Sequence, residues 1–216
     1  LRADEGDADR AYKKLAIFAR VLSYVENNYV TPVDSEQLVY GAIRGLLATL
    51  DPGDEVLIPA PWWVSYPEIA RFAGATVVPL ATDAAGGFRI TAAQLEAAIT
   101  PRTKWLFLNM PGNPSGAVYS EADLKALGAV LAKHPQVLIL SDEIYEYIIF
   151  DNRAFVSFGK ACPELRDRTL IVNGVAKAYA MTGWRVGYAA GPAPLLKAMN
   201  TVQSQSVTSV AAPMQA

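Results

Sequence analysis

The sequence predicts an α/β fold: a mostly parallel sheet with helices on both faces, preceded by a helical hairpin. Three observations carry this. From Asp51 onward six short apolar runs alternate with stretches of helical spacing. Those runs are too continuously apolar for a sheet with one solvated face. Residues 1–50, by contrast, hold a single proline, Pro32, and keep a helical period. Two units are therefore expected, residues 1–50 and residues 51–216.

In the first unit Leu15, Phe18, Leu22 and Val25 recur at three- and four-residue steps and give one apolar face. Pro32 closes that helix. Asp34 is a good N-cap for the next one, with Gln37 three residues on as in a capping box. Leu38, Ala42, Ile43, Leu46, Leu47 and Leu50 form its buried stripe. In the second unit EVLIPA (55–60), TVVPLA (76–81), KWLFLN (104–109), QVLILSD (136–142), TLIVNGV (169–175) and RVGYAAG (185–191) read as strands. Residues 65–74, 92–99, 120–133 and 193–204 read as the helices between them.

Composition removes several function classes. With 52% hydrophobic and 19% charged residues and a net charge of −2, the chain is not disordered and has no basic patch for nucleic acid. No apolar run reaches the ~18 residues of a membrane span. Cys162 is the one cysteine, so neither an internal disulfide nor a cysteine metal cluster is expected. His134, the one histidine, precedes Pro135 and reads as a solvated helix end, so no metal site is expected. The chain starts at Leu1 without a basic and then apolar leader. The expectation is a processed chain or fragment in the cytoplasm.

Open α/β sheets bind ligands beyond the carboxyl ends of their strands, and that is where the polar residues stand. Lys177 lies among small apolar neighbours in NGVAKAYAMTGWR. Such a setting disfavours the ammonium form and makes the amine a nucleophile toward carbonyls. Asp142 follows a wholly apolar strand in LILSDEIYEY, so a partly buried carboxylate in need of a cationic partner is expected, with a helix N-cap as the alternative. A protonated pyridine nitrogen is one such partner. Tyr145, three residues on, and Asn113, in the turn-rich MPGNPSG, are candidate donors to a phenolate oxygen. Arg185 offers a planar fork for a phosphate, and Trp63, in APWWVSYPE, a surface for stacking on an aromatic ring.

With these residues in hand, residues 51–216 resemble the class I/II pyridoxal-phosphate-dependent aminotransferases, in particular the bacterial aspartate aminotransferase-like subgroup. The matching stretches are PGDEVLIPAPWWVSYPE, NMPGNPSGAVYS, LSDEIYEYIIF and VNGVAKAYAMTGWRVGYAAGP, with QSQSVTS near the end. The resemblance implies an incomplete large domain of fold type I, pyridoxal 5'-phosphate as cofactor, and transfer of an amino group between an aspartate-like amino acid and a 2-oxo acid. It implies Lys177 as the catalytic Schiff-base lysine and Asp142 as partner of the ring nitrogen. Tyr145 and Asn113 then serve the ring oxygen, Arg185 the phosphate, and Trp63 the ring face. Ala176 departs from the serine most common before that lysine. A homodimer is expected for the family. The family's phosphate-binding loop falls where this chain has YGAIRGLLATL (40–50), and its arginine for the substrate carboxylate lies beyond Ala216.

Residues 1–52 resemble instead the helical segment ahead of the PDZ domain in S41 C-terminal processing peptidases, without that family's serine and lysine. The implied picture is a junction near Asp51. Two alternatives stay open at this point: a sister lyase or decarboxylase on the same scaffold, and a non-catalytic chimeric fragment acting as a binding module.

Overall fold

The computed structural model describes residues 50–203, so the hairpin expected over residues 1–50 lies outside the described residues but for its last position. The elements run β1 (Glu55–Ala60), α1 (Ser65–Phe72), β2 (Thr76–Ala81), α2 (Ala92–Ala98), β3 (Thr103–Asn109), α3 (Glu121–Ala132) and β4 (Leu138–Asp142). They continue through α4 (Phe158–Ala161), a 3-10 turn (Pro163–Arg168), β5 (Thr169–Gly174), a second 3-10 turn (Thr182–Trp184), β6 (Gly187–Ala190) and α5 (Ala193–Gln203). All six strands and four helices stand where the hydrophobic pattern put them. The pattern did not show α4 and the two 3-10 turns, which are too short for a period.

The strands form one sheet in the order β2-β1-β3-β4-β5-β6. Every pairing is parallel except β5 with β6. Side chains alternate across the sheet, and each face builds its own core. Leu57, Leu106, Leu108 and Ile139 point to the face covered by α2, α3 and α4, against Leu95, Leu124, Leu127, Leu131 and Phe158. Val56, Ile58, Trp105, Phe107 and Leu140 point to the other, against Ile69 and Ala70 of α1 and Leu195 of α5. Burial on both faces explains why the strands read as unbroken apolar runs.

Capping boxes start two of the helices. Thr91 and Gln94 exchange side-chain bonds with each other's backbone N–H at the start of α2, as do Ser120 and Asp123 for α3. At the amino edge of the sheet Glu55 is buried and accepts from Thr100 (2.5 Å) and from Arg102 (2.6 Å). The opposite edge gathers the strand ends: Asn109 lies beside Asp142, and Asp142 beside Val172. Because β6 is antiparallel, its first residue pairs with the last of β5, Gly187 with Gly174. A side chain at position 174 would put its Cβ 2.9 Å from the Val186 carbonyl oxygen, so only glycine lets the chain return this closely. Lys177 and Arg185 are thereby held at one edge of the sheet.

Candidate active site

The chain order reverses between β1 and β3, and beyond the carboxyl ends of β3, β4 and β5 the structure brings Asn113, Asp142, Tyr145 and Lys177 together. Asn109, the last residue of β3, ties the loop that follows. Its Oδ1 accepts from the Asn113 N–H (2.7 Å), and its Nδ2 donates to the Asp142 carbonyl (3.1 Å). Asn113 is thereby fixed, and its Nδ2 donates to the Tyr145 hydroxyl at 3.5 Å. Lys177 Nζ stands 5.9 Å from the centroid of the Tyr145 ring. A cleft of about 390 Å³ opens beside them, lined by Asn113, Tyr145, Ile148, Phe150 and Arg153 among others.

Asp142 ends β4 half-buried. Its Oδ2 accepts from the Tyr66 hydroxyl at 2.5 Å and its Oδ1 from the Ile144 N–H at 3.1 Å. Burial pushes its carboxyl above the usual aspartate value, and the bonds from Tyr66 and Ile144 partly offset that. No helix follows directly, so the N-cap alternative does not apply: Asp142 closes a turn. The neighbouring Glu143 is the more deeply buried carboxylate. Its Oε1 accepts from Ser141 (2.8 Å), Ser157 (3.0 Å) and the Phe158 N–H (3.0 Å), which anchors the loop leading into α4.

One expectation needs correction. The sequence places Lys177 among small apolar residues and predicts a desolvated amine, but the structure exposes it. The reason is bulk: Ala176, Ala178 and Ala180 have too little side chain to cover a four-carbon stem. Arg185 is exposed too, and its Nη1 donates to the Thr182 carbonyl at 3.0 Å. Its backbone is left-handed, with φ 54° and ψ 46°. That conformation is uncommon for a residue with a side chain and is concentrated at functional sites. Trp63 is half-buried and meets Tyr66 edge to face, with ring centroids 5.4 Å apart.

Sequence reasoning gave no role to two residues of the site. Tyr66 reads as one more apolar position in the α1 stripe, since periodicity reports its ring and not its hydroxyl. Asn109 carries the same signal as Asp142, a polar residue closing an apolar strand. His134 stands just past α3 and is not freely solvated: its Nε2 lies 3.1 Å from Glu96 Oε1. Among the described residues no group of three or more His, Cys, Asp or Glu is placed to hold a metal ion. None of the described helices is long and apolar enough to cross a membrane.

The donor set suits a phosphorylated pyridine aldehyde. It offers a carboxylate for a ring N–H, two neutral donors for a ring oxygen, a primary amine for an aldehyde and a guanidinium for a phosphate. Comparison with known proteins points the same way. The sequence model for aminotransferase class I and II matches residues 9–216, a range that takes in most of the peptidase-like segment. An aspartate/prephenate aminotransferase of Cereibacter sphaeroides is 53% identical over 187 residues, 87% of this chain and 46% of the relative. The crystal structure of the aspartate aminotransferase from Rhizobium meliloti superposes with TM-score 0.76 at 46% identity, covering 88% of this chain and 49% of that one. That of the Thermus thermophilus aspartate aminotransferase with maleate gives TM-score 0.73 at 43% identity, covering 88% and 50%. The chain thus spans about half the length of the curated relatives it matches. On the extent of the family match and the identity to these enzymes, the chain belongs to the class I and II aminotransferases.

Proposed function

We propose that this chain carries the pyridoxal phosphate site of an aminotransferase that moves an amino group between an aspartate-like amino acid and a 2-oxo acid. The observation that supports it best is the meeting of Asp142, Asn113, Tyr145 and Lys177 at the carboxyl edge of the sheet. The named relatives favour transfer over lyase, decarboxylase or simple binding roles, and aspartate aminotransferases of this family use pyridoxal phosphate. A dicarboxylate substrate agrees with the aspartate enzymes among them, one of which was crystallised with maleate.

When bound, the cofactor supplies an electron-poor ring that takes up the electron pair of a substrate Cα–H bond. The residues of this chain do the rest. Asp142, as an ionised acceptor, holds a proton on the ring nitrogen. Tyr145 and Asn113 donate to the ring oxygen. Lys177 contributes its amine as the nucleophile toward the aldehyde and, once released, moves a proton at the substrate Cα. Arg185 pairs with the phosphate in a planar fork, and Trp63 offers a ring face. The segment 40–50, where the sequence shows no phosphate loop, lies outside the described residues except for Leu50.

Adding pyridoxal phosphate to the full chain should give an absorbance band that borohydride fixes as a label on Lys177. Peptide mapping reads this directly. Lys177→Ala should abolish the label, and a label spread over other lysines would sink the proposal.

A further inference from the structure

We propose that Tyr66 is the positioning residue for Asp142: its hydroxyl, held by a cluster of aromatic rings meeting edge to face, keeps the carboxylate charged and aimed at the ring nitrogen of the cofactor. This rests on the cofactor reading above. The contact itself does not. Tyr66 is 6% exposed, and its hydroxyl donates to Asp142 Oδ2 at 2.5 Å. Its ring packs edge to face on Trp63 and on Phe107, at centroid distances of 5.4 and 6.0 Å, and Phe107 packs in turn on Trp105 at 6.1 Å. Rings in such contacts hold their torsions, so the phenol oxygen has almost no freedom.

The geometry leaves Asp142 work to do. An ionised carboxylate accepts only, with two lone pairs on each oxygen. Tyr66 occupies one on Oδ2, and the Ile144 N–H one on Oδ1. One lone pair on each oxygen stays available to a ring N–H. A proton moving onto Oδ2 would displace the Tyr66 donor, so the bond opposes neutralisation of a carboxylate that burial otherwise drives toward its acid form. The phenol is a dependable donor, because burial and the Asp142 charge hold its own ionisation well above the usual tyrosine range. Among the described residues, Tyr145, from the turn after β4, also lies near this pair, with Lys177 over its ring.

Tyr66→Phe in the full chain deletes the hydroxyl and keeps the ring. Two titrations decide the matter. The first compares pyridoxal phosphate with its deaza analogue, in which carbon replaces the ring nitrogen. Tyr66→Phe should weaken pyridoxal phosphate by ~10-fold, the scale of one hydrogen bond to a charged group, and leave the analogue unchanged. Equal loss for both, or no loss for either, overturns the proposal, since a merely structural tyrosine would not sense the nitrogen. The second follows the Asp142 carboxyl by NMR in the cofactor-free chain. It should titrate at higher pH in Tyr66→Phe, and an unmoved titration overturns the proposal. Failure of the unsubstituted chain to bind either ring would defeat the cofactor reading, while the NMR titration would still decide the role of Tyr66. Should Tyr66→Phe fail to fold, replacing Tyr66 by 3-fluorotyrosine strengthens the donor, and Asp142 should then titrate at lower pH.

Discussion

Arg168 shows how much one side chain settles. Its guanidinium donates to the carbonyls of Leu131 (2.5 Å), His134 (2.9 Å) and Val137 (2.7 Å), the end of α3 and the turn beyond it. The last carbonyls of a helix have no partner within it and carry the negative end of its dipole. Two nitrogens of one planar guanidinium serve one such carbonyl, that of Leu131, and two in the turn beyond it, a spread that the single nitrogen of a lysine does not match. Arg168→Ala should therefore lower stability by about 1.5–3 kcal/mol, and Arg168→Lys should recover less than half of that. Urea unfolding measures both, and full recovery by lysine would show that charge alone matters. Lys177 teaches the opposite lesson. Its neighbours in sequence are apolar, yet it is exposed, because burial is decided by what packs over a residue and not by what flanks it.

Between elements, α3 packs closely against Cys162, the residue that ends α4. A Cβ on Gly128 would lie 2.5 Å from Cys162 Sγ and 3.4 Å from its Cβ, so the helix carries glycine where alanine would favour it locally. Gly128→Ala should destabilise by about 1–3 kcal/mol through overpacking. Most of the loss should vanish in a Cys162→Ala background, where the sulfur is gone. A double-mutant cycle by thermal unfolding checks this, and additive effects would place the strain elsewhere. Such contacts explain what the sequence could and could not reveal. Strands buried on both faces announce themselves by composition, and the polar residues at or just past their ends, Asn109, Asp142 and Lys177, mark the edge at which open α/β sheets bind ligands. Chain return is not visible in that way: β6 follows a turn containing Arg185 in a left-handed backbone, and only its pairing with β5 shows that Arg185 shares an edge with Lys177. The hydroxyl of Tyr66 stayed hidden for a simpler reason. A tyrosine at a core position satisfies the helical period whether or not its oxygen has a task.

Across the whole molecule, the two cores hold protonated groups that must lose protons at high pH, and the alkaline limit of the fold should follow from them. Burial raises the Tyr119 phenol to about 12 and the Cys162 thiol to about 11, and Tyr66 is raised as well. A folded-state value above the unfolded one means that the folded chain holds its proton more tightly. The associated stability is complete below the unfolded value and is lost as pH rises through the folded one. For Cys162 the window runs from the ordinary thiol value of 9.0 to about 11, and for Tyr119 from 10.0 to about 12. Each should be worth on the order of 2–3 kcal/mol at 1.36 kcal/mol per unit. Glu55 works with the opposite sign: bonds from Thr100 and Arg102 lower its value, so its contribution is present above 4.5 and fades in acid. Loss of the Cys162 and Tyr119 protons should thus make stability fall above pH 9. Urea midpoints measured between pH 8 and 11.5 test this. Cys162→Ala should flatten the fall between pH 9 and 11. Tyr119→Phe should start lower, because it strips the Ile90 N–H of its acceptor at 3.0 Å, yet decline less above pH 10. Parallel curves for all three chains would mean that alkaline unfolding is driven by exposed groups and not by the buried ones.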